Sequence, residues 1–221
     1  MTSANDLALC HSTTAAANRP RARGGPLSAR ELRAYIGADL HRYAGRRTLG
    51  AFMRHYWFTP PFRYTVWMRI AGYLRRRRWS RYTLYVPAKL MQLRYRHKFG
   101  ISIPEHAAIG PGLFISHGGG IVVNGDAVLG ANINLSHNVT IGQANRGAKR
   151  GSPVIGDHVF IAPGAAVIGH VHIGDQCAIG ANAVVTKDAP PSSVLAGVPA
   201  KIVSESGSDG YVNRTFTPPP A

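Results

Sequence analysis

Acidic side chains are scarce in this sequence: ten aspartates and glutamates stand against 26 lysines and arginines, a formal charge of +16. The shortage is local. Residues 1–100 hold 20 of the basic residues and three of the acids, a balance of +17, which leaves six against seven, or −1, for residues 101–221. The two halves are therefore different objects, and the excess charge says nothing about the second. Cysteine is nearly absent, with only Cys10 and Cys177, so a disulfide framework is excluded and a reducing compartment is the default. No apolar run approaches the ~20 residues of a spanning helix, and the first 27 residues lack the uninterrupted apolar stretch of a secretory signal. The location read from this is cytoplasmic, with peripheral contact at the inner face of a membrane left open. At 221 residues the chain can bury one or two ordinary cores.

What is present is a repeat of six. Ile109, Ile115 and Ile121 are six apart; after two extra residues Leu129, Leu135 and Ile141 resume the spacing. After a longer interruption it continues through Ile155, Ile161, Val167, Ile173, Ile179 and Val185. Four residues after most anchors stands something small or β-branched, as at Ile133, Val139, Val159, Ala165, Val171, Cys177 and Ala183. A helix needs apolar residues every three or four positions, and a meander has irregular turns, so neither makes a strict six. A short strand followed by a corner does, if each hexapeptide forms one side of a triangular coil whose anchors stack on those of the next coil.

Over residues 101–203, where "IGANAVVTKD" (179–188) reads as a last coil and "AGVPAKIV" (196–203) as an exit, the chain resembles the hexapeptide-repeat acyltransferases. The resemblance implies a mainly β fold, a left-handed parallel β-helix preceded by a helical region. It also implies a homotrimer, with acetyl-CoA as co-substrate in grooves between prisms. The order "GPGLFISHGGGIVVNGDAVLG", "VTIG", loop, "PVIGDHVFIAPGAAVIG" is similar to the serine acetyltransferases. That similarity makes His117 the general base, with residues 118–120 keeping the approach to the thioester clear, Gly119 among them. It lays the pantetheine arm along Gly142, Ala162, Gly164 and Ala181, and offers Lys187 and Lys201 to phosphates.

Three positions depart from the family pattern. Ser102 stands where the family has the aspartate that partners the base, Ser116 where it has the aspartate before the base, and Ser152 where it has a loop histidine that holds serine. Serine cannot replace a charged partner without losing most of the charge-assisted energy. These hydroxyls, with His137 and Arg150, form the expected acceptor-binding set. "ISIP" and "VTIGQANRG" look like the serine acetyltransferase-like proteins found with polysaccharide assembly, so a sugar hydroxyl and L-serine are both open acceptors. Gamma-class carbonic anhydrases share the prism and bind zinc through histidines, but the closely spaced pair of that site is missing and no metal is expected. His117 and His137 should stack one coil apart, while His170 and His172 should point outward.

The expected organisation is a disordered leader (1–27), a basic α-helical region (28–100), the β-helix (101–203) with an extended loop at 142–154, and a flexible tail (204–221). Ser28 and Glu31 read as a helix start, Pro60 and Pro61 as a break and Gly100 as a stop. Residues 75–78, all arginine, lie among Trp57, Trp67, Trp79 and several tyrosines. The aromatics can cap the prism, or the patch can meet anionic lipid; nucleic acid is the weaker reading. A non-catalytic trimeric scaffold carrying a basic head is the alternative to an enzyme.

Overall fold

The computed structural model describes residues 25–77 and 83–217, so Cys10, Arg78 and Trp79 lie outside the described residues. Among the described residues four helices come first: α1 (Ala29–Ala44), α2 (Leu49–Phe58), α3 (Pro60–Arg75) and α4 (Tyr85–Phe99). Their ends follow the local chemistry. The Ser28 hydroxyl accepts the Glu31 N–H at 3.0 Å, Pro60 and Pro61 open α3 where missing N–H groups cost nothing, and Gly100 closes α4 at φ 62°.

The remaining chain winds into a left-handed, three-faced prism. The first face carries β1 (Ile101–Ser102), β4 (Ile121–Val123), β7 (Thr140–Gly142), β10 (Ala166–Ile168) and β13 (Val184–Val185). On the second lie β2 (Ala108–Ile109), β5 (Val128–Leu129), β8 (Val154–Ile155) and β11 (His172–Ile173). The third has β3 (Phe114–Ile115), β6 (Asn134–Leu135), β9 (Phe160–Ile161), β12 (Ala178–Ile179) and β14 (Val194–Ala196), closed by antiparallel β15 (Lys201–Ser204). Side chains of the anchor row and of the row two residues before each anchor both point inward, and the core is their stack.

The register moves one expectation. Val123 pairs with Ile141, Leu129 with Ile155 and Leu135 with Ile161, so Val123 is the anchor of its coil and Ile121 belongs to the second inward row with Val139. The two extra residues therefore lie between Ile115 and Val123, inside "SHGGG", and not after Ile121. Spacing alone was ambiguous because alternation buries both Ile121 and Val123 and leaves Val122 outside.

An open coil leaves unpaired N–H and C=O groups along three strand edges, and such edges invite association. Here the helices close them. Arg69 donates to the carbonyls of Ile109 (2.6 Å) and Gly110 (2.7 Å), and Asp39 accepts from Gly112 (2.9 Å) and Leu113 (2.8 Å). The two side chains pair at 3.1 Å with 2% and 1% exposure. Tyr64 both donates to the Ile103 carbonyl (2.8 Å) and accepts its N–H (2.9 Å), and burial pushes its phenol up to about 12. Tyr43 does the same for Ile115 at 3.0 Å, its phenol also raised by burial. Tyr64, Met68 and Tyr95 share one apolar core with the prism, and Leu40, Ala51, Phe62 and Val66 form a smaller cluster within the helical region. Trp67 and Phe99 also pack against the prism core, while Tyr43 and Tyr64 cap it through their hydroxyls.

The tail also differs from the expectation of flexibility, as far as Thr217. Ser208 donates to the Gln176 and His158 carbonyls (2.8 and 2.6 Å), Tyr211 stacks on Phe160 at 4.6 Å, and Phe216 exchanges two 2.8 Å bonds with Asn132. Asn132, His158, Gln176 and Ser192 all have φ of 57–60° and form one corner column, which the tail climbs back toward α1. There Arg42 bonds the Asn213 carbonyl and Asn134, and Arg214 donates to the Tyr43 carbonyl at 2.6 Å. No hexapeptide marks this segment because its contacts are to corner backbone, to the side-chain amides of Asn132 and Asn134 and to the Phe160 ring, and not to the inward stack.

The register gives a direct test. Val123→Ala should cost about 2 kcal/mol, the worth of a buried valine, and Val122→Ala, at 47% exposure, less than about 0.5 kcal/mol in urea unfolding. Equal losses, or the reverse order, would put Val122 inside.

Candidate active site

The corner from the third face to the first is built coil by coil from equivalent residues. Ser116 N–H bonds the Leu135 carbonyl, Ser136 the Ile161 carbonyl, and Ala162 the Ile179 carbonyl, at 2.9–3.1 Å. Asn138 then donates to Gly119, Gly164 to His137, and Asn182 to Pro163. This edge brings His117, Ser116, Gly119, His137, Ala162, Gly164 and Ala181 into one line. His117 is exposed and His137 half-buried, with ring centroids 6.1 Å apart at 71°. Below them the side chains shrink to Ala162, Pro163, Gly164 and Ala181, with Ala162 buried, Pro163 and Gly164 half-buried and Ala181 exposed.

The glycine run after His117 has a structural cause. Gly119 N–H bonds the Phe99 carbonyl (2.8 Å) and Ile121 N–H the Gly100 carbonyl (3.1 Å), so the end of α4 rests on the corner. Gly120, at φ 66°, lies where a Cβ would stand 2.1 Å from the Asn138 side-chain oxygen. Gly119 has φ 108° and open space where its Cβ would be. Tyr43 fixes Ile115 on the other side. The imidazole of His117 is thus carried on a hairpin clamped by α1 before it and α4 after it.

The other expected residues lie elsewhere. Ser102 is half-buried on β1, in the outer row of the first face beside Val122. Among the described residues His117 has no hydrogen bond, and Glu105, the nearest carboxylate in sequence, is committed to Lys89 and to the Tyr85 hydroxyl (2.9 Å). Burial raises the Glu105 carboxyl, but these partners outweigh it and hold it below the usual carboxylate range. Gly142, Arg150, Ser152 and Lys187 gather at the opposite edge of the first face, about 13 Å away for four residues of strand. Lys201 is exposed on β15.

At that second edge the loop is 143–153, since Gly142 ends β7 and Val154 opens β8. Ala144 and Gly151 pair antiparallel, and Lys149 holds Asp188 at 2.7 Å, tying the loop to the coils below. Ser152 is 9% exposed and donates to the Asn124 side-chain oxygen (3.1 Å). Asn124 in turn donates to Gln143 (3.2 Å), and Gln143 to Asn145 (2.8 Å). Asn124, Gln143 and Asn145 are not among the residues the sequence singles out; they are amides that no spacing marks, Asn124 at the corner after β4 and Gln143 and Asn145 in the loop after β7. A cleft of about 240 Å³ near Gln92 and Glu105 and one of about 570 Å³ between α1 and α2 include neither His117 nor His137.

Comparison with known proteins agrees with this architecture. Residues 152–187 match the family model for the bacterial transferase hexapeptide (six repeats). The chain is 40% identical over 107 residues to the serine acetyltransferase of Mycobacterium tuberculosis (strain ATCC 25618 / H37Rv), covering 48% of this chain and 47% of that one. It thus spans about half the length of that relative. The crystal structure of Neisseria gonorrhoeae serine acetyltransferase in complex with serine superposes with a TM-score of 0.66 at 32% identity, over 80% of this chain and 71% of that one. A serine acetyltransferase in complex with CoA gives 0.62 at 27%, over 79% and 71%. With the prism, the clamped histidine hairpin and these likenesses together, the chain belongs to the serine acetyltransferase-like hexapeptide-repeat acyltransferases.

Proposed function

We propose that the protein is an acetyl-CoA-dependent O-acetyltransferase in which His117 is the general base. The observation that carries the reading is the position of His117: an exposed imidazole on a hairpin fixed from both sides, at the head of an edge of small residues. In this reading His117 takes the proton of an acceptor hydroxyl while that oxygen attacks the thioester carbon. The imidazolium then returns the proton to the leaving CoA sulfur, so no metal is required. His137, one coil below, orients the acceptor.

Apart from the exposed Arg150, the acceptor set at the two edges of the first face is built from hydroxyls, amides and an imidazole. Ser116 lies beside the base, and Ser152, Asn124, Gln143 and Asn145 form a hydroxyl and amide cluster at the far edge. Neutral donors and acceptors suit the hydroxyls of a saccharide better than the ammonium and carboxylate of free serine, whose recognition gains from charged partners. The relatives' names favour serine, and the local chemistry favours the sugar. The two edges lie on opposite sides of one face, so a pocket using both is completed by the far edge of a neighbouring prism. That geometry supports the homotrimer.

Two measurements follow. His117→Ala should lower kcat by roughly 10²–10⁴-fold, the usual worth of a positioned base, with CoA affinity little changed. His137→Ala should mainly raise the acceptor KM, and an active His117→Ala protein beside an inactive His137→Ala one would transfer the role. In a CoA-release assay with L-serine and a panel of sugars and lipid-linked saccharides, a saccharide should turn over faster than serine. Rapid turnover on millimolar serine with none on any saccharide would overturn the sugar assignment.

A further inference from the structure

The helical region carries an outward face that the catalytic reading does not use. On α2, Leu49, Met53 and Trp57 follow at i, i+4 and i+8, and Phe58 lies on the adjoining row with Gly50 and Arg54; these six of the helix's ten residues are exposed. Leu49 is 78%, Trp57 59% and Phe58 81% exposed, while Ala51 is buried on the inner side and Phe52 and Tyr56 pack against the Leu40–Phe62 cluster. Four large apolar groups on one face of a ten-residue helix mark a surface that meets a partner. Arg46, Arg47 and Arg54 are exposed around them. Beside Leu49 opens the cleft of about 570 Å³ between α1 and α2, with apolar walls from Ile36, Leu40 and Phe52 and with Arg33 and Arg47 in its lining.

The charge decides what covers this face. Residues 40–104 contain fifteen lysines and arginines and no aspartate or glutamate. A second copy seated on this face about a two-fold axis would set Arg46, Arg47 and Arg54 against their own counterparts with no acid from this stretch between them, and a copy meeting it through a different surface is distinguished by the mass measurement below. A nucleic acid would satisfy the arginines and leave Leu49, Met53, Trp57 and Phe58 without an apolar phase. The surface of an anionic bilayer meets both demands: phosphates receive the arginines, and the boundary between headgroups and acyl chains receives the leucine, methionine and aromatics. No helix among the described residues is long and apolar enough to cross a membrane, so the contact is peripheral.

We propose that the outer face of α2, Leu49, Met53, Trp57 and Phe58 ringed by Arg46, Arg47 and Arg54, docks the protein on an anionic lipid surface. The His117 and His137 coils are the two next to the helices, so docking by α2 keeps the proposed acetyl-transfer edge at the membrane end of the prism. The docking itself does not depend on that transfer reading.

The test is co-sedimentation of the full-length protein with vesicles of phosphatidylcholine alone or with phosphatidylglycerol, at low and at physiological salt. Binding should require phosphatidylglycerol and weaken as salt screens it. The Leu49→Ser/Trp57→Ser double variant should bind at least about tenfold more weakly, because its apolar anchors are gone, with an unchanged melting curve, light-scattering mass and CoA release. Failure of the wild-type protein to bind phosphatidylglycerol vesicles would overturn the proposal. So would equal binding by the variant, a change of mass in the variant that marks the face as a contact between copies, or preference for single-stranded RNA over vesicles in competition. Arg46→Ala/Arg54→Ala, which leaves the apolar stripe intact, should lose the dependence on phosphatidylglycerol, and unaltered dependence would likewise contradict it.

Discussion

Closure of the first coil's open edge is the constraint on which the other features rest. A β-helix stabilises each coil through its neighbours, and the first coil has a neighbour on one side only. Its free groups are met by Arg69, Asp39, Tyr43, Tyr64 and Gln92 from the helices, together with the last carbonyls of α4. The Asp39–Arg69 pair shows why these residues come as a set. Two buried charges would be costly if left alone, but here each is held by the other and by two backbone groups of the coil. The helical region is therefore the cap of the solenoid, and its boundary with the prism at residue 100 is one of secondary structure, not of packing.

That closure also places the chemistry. Tyr43 holds Ile115 and the end of α4 holds Gly119 and Ile121, so the residues that seal the edge are those that fix the hairpin carrying His117. The glycines in "SHGGG" are where the helix end and the corner approach most closely, and the extra residues of the coil are spent there. A fixed imidazole at an exposed corner is what the proposed general-base role asks of a scaffold. The opposite edge carries the Ser152, Asn124 and Gln143 hydrogen-bond network, with Arg150 beside it.

The hexapeptide stack was legible in the sequence because each anchor is read by its own coil: the burial of Ile109, Leu129, Ile155 and Ile179 follows from a spacing visible in one dimension. The stacking of His117 over His137 was legible for the same reason. The insertion was misplaced because Ile121 and Val123 are both apolar and both inward, and only pairing across coils distinguishes anchor from companion. Asp39, Tyr43 and Arg69 carried no signal, since their partners on the prism lie some 40–74 residues away and are backbone atoms. The tail failed for a related reason: Ser208 binds corner backbone, Tyr211 a single ring and Phe216 the Asn132 side chain, contacts that leave no periodicity. Asn124, Gln143 and Asn145 were visible as amides but had no spacing rule to mark them.

Native-state amide hydrogen exchange tests the capping account most directly. If the helices close the first coil, the N–H groups of Ile103, Gly112, Leu113, Ile115, Gly119 and Ile121 should be protected as well as those of Asn134, Phe160 and Ala166 in the coils below. Exchange of the first group at the rate of an open strand edge, while the second group stays protected, would contradict it.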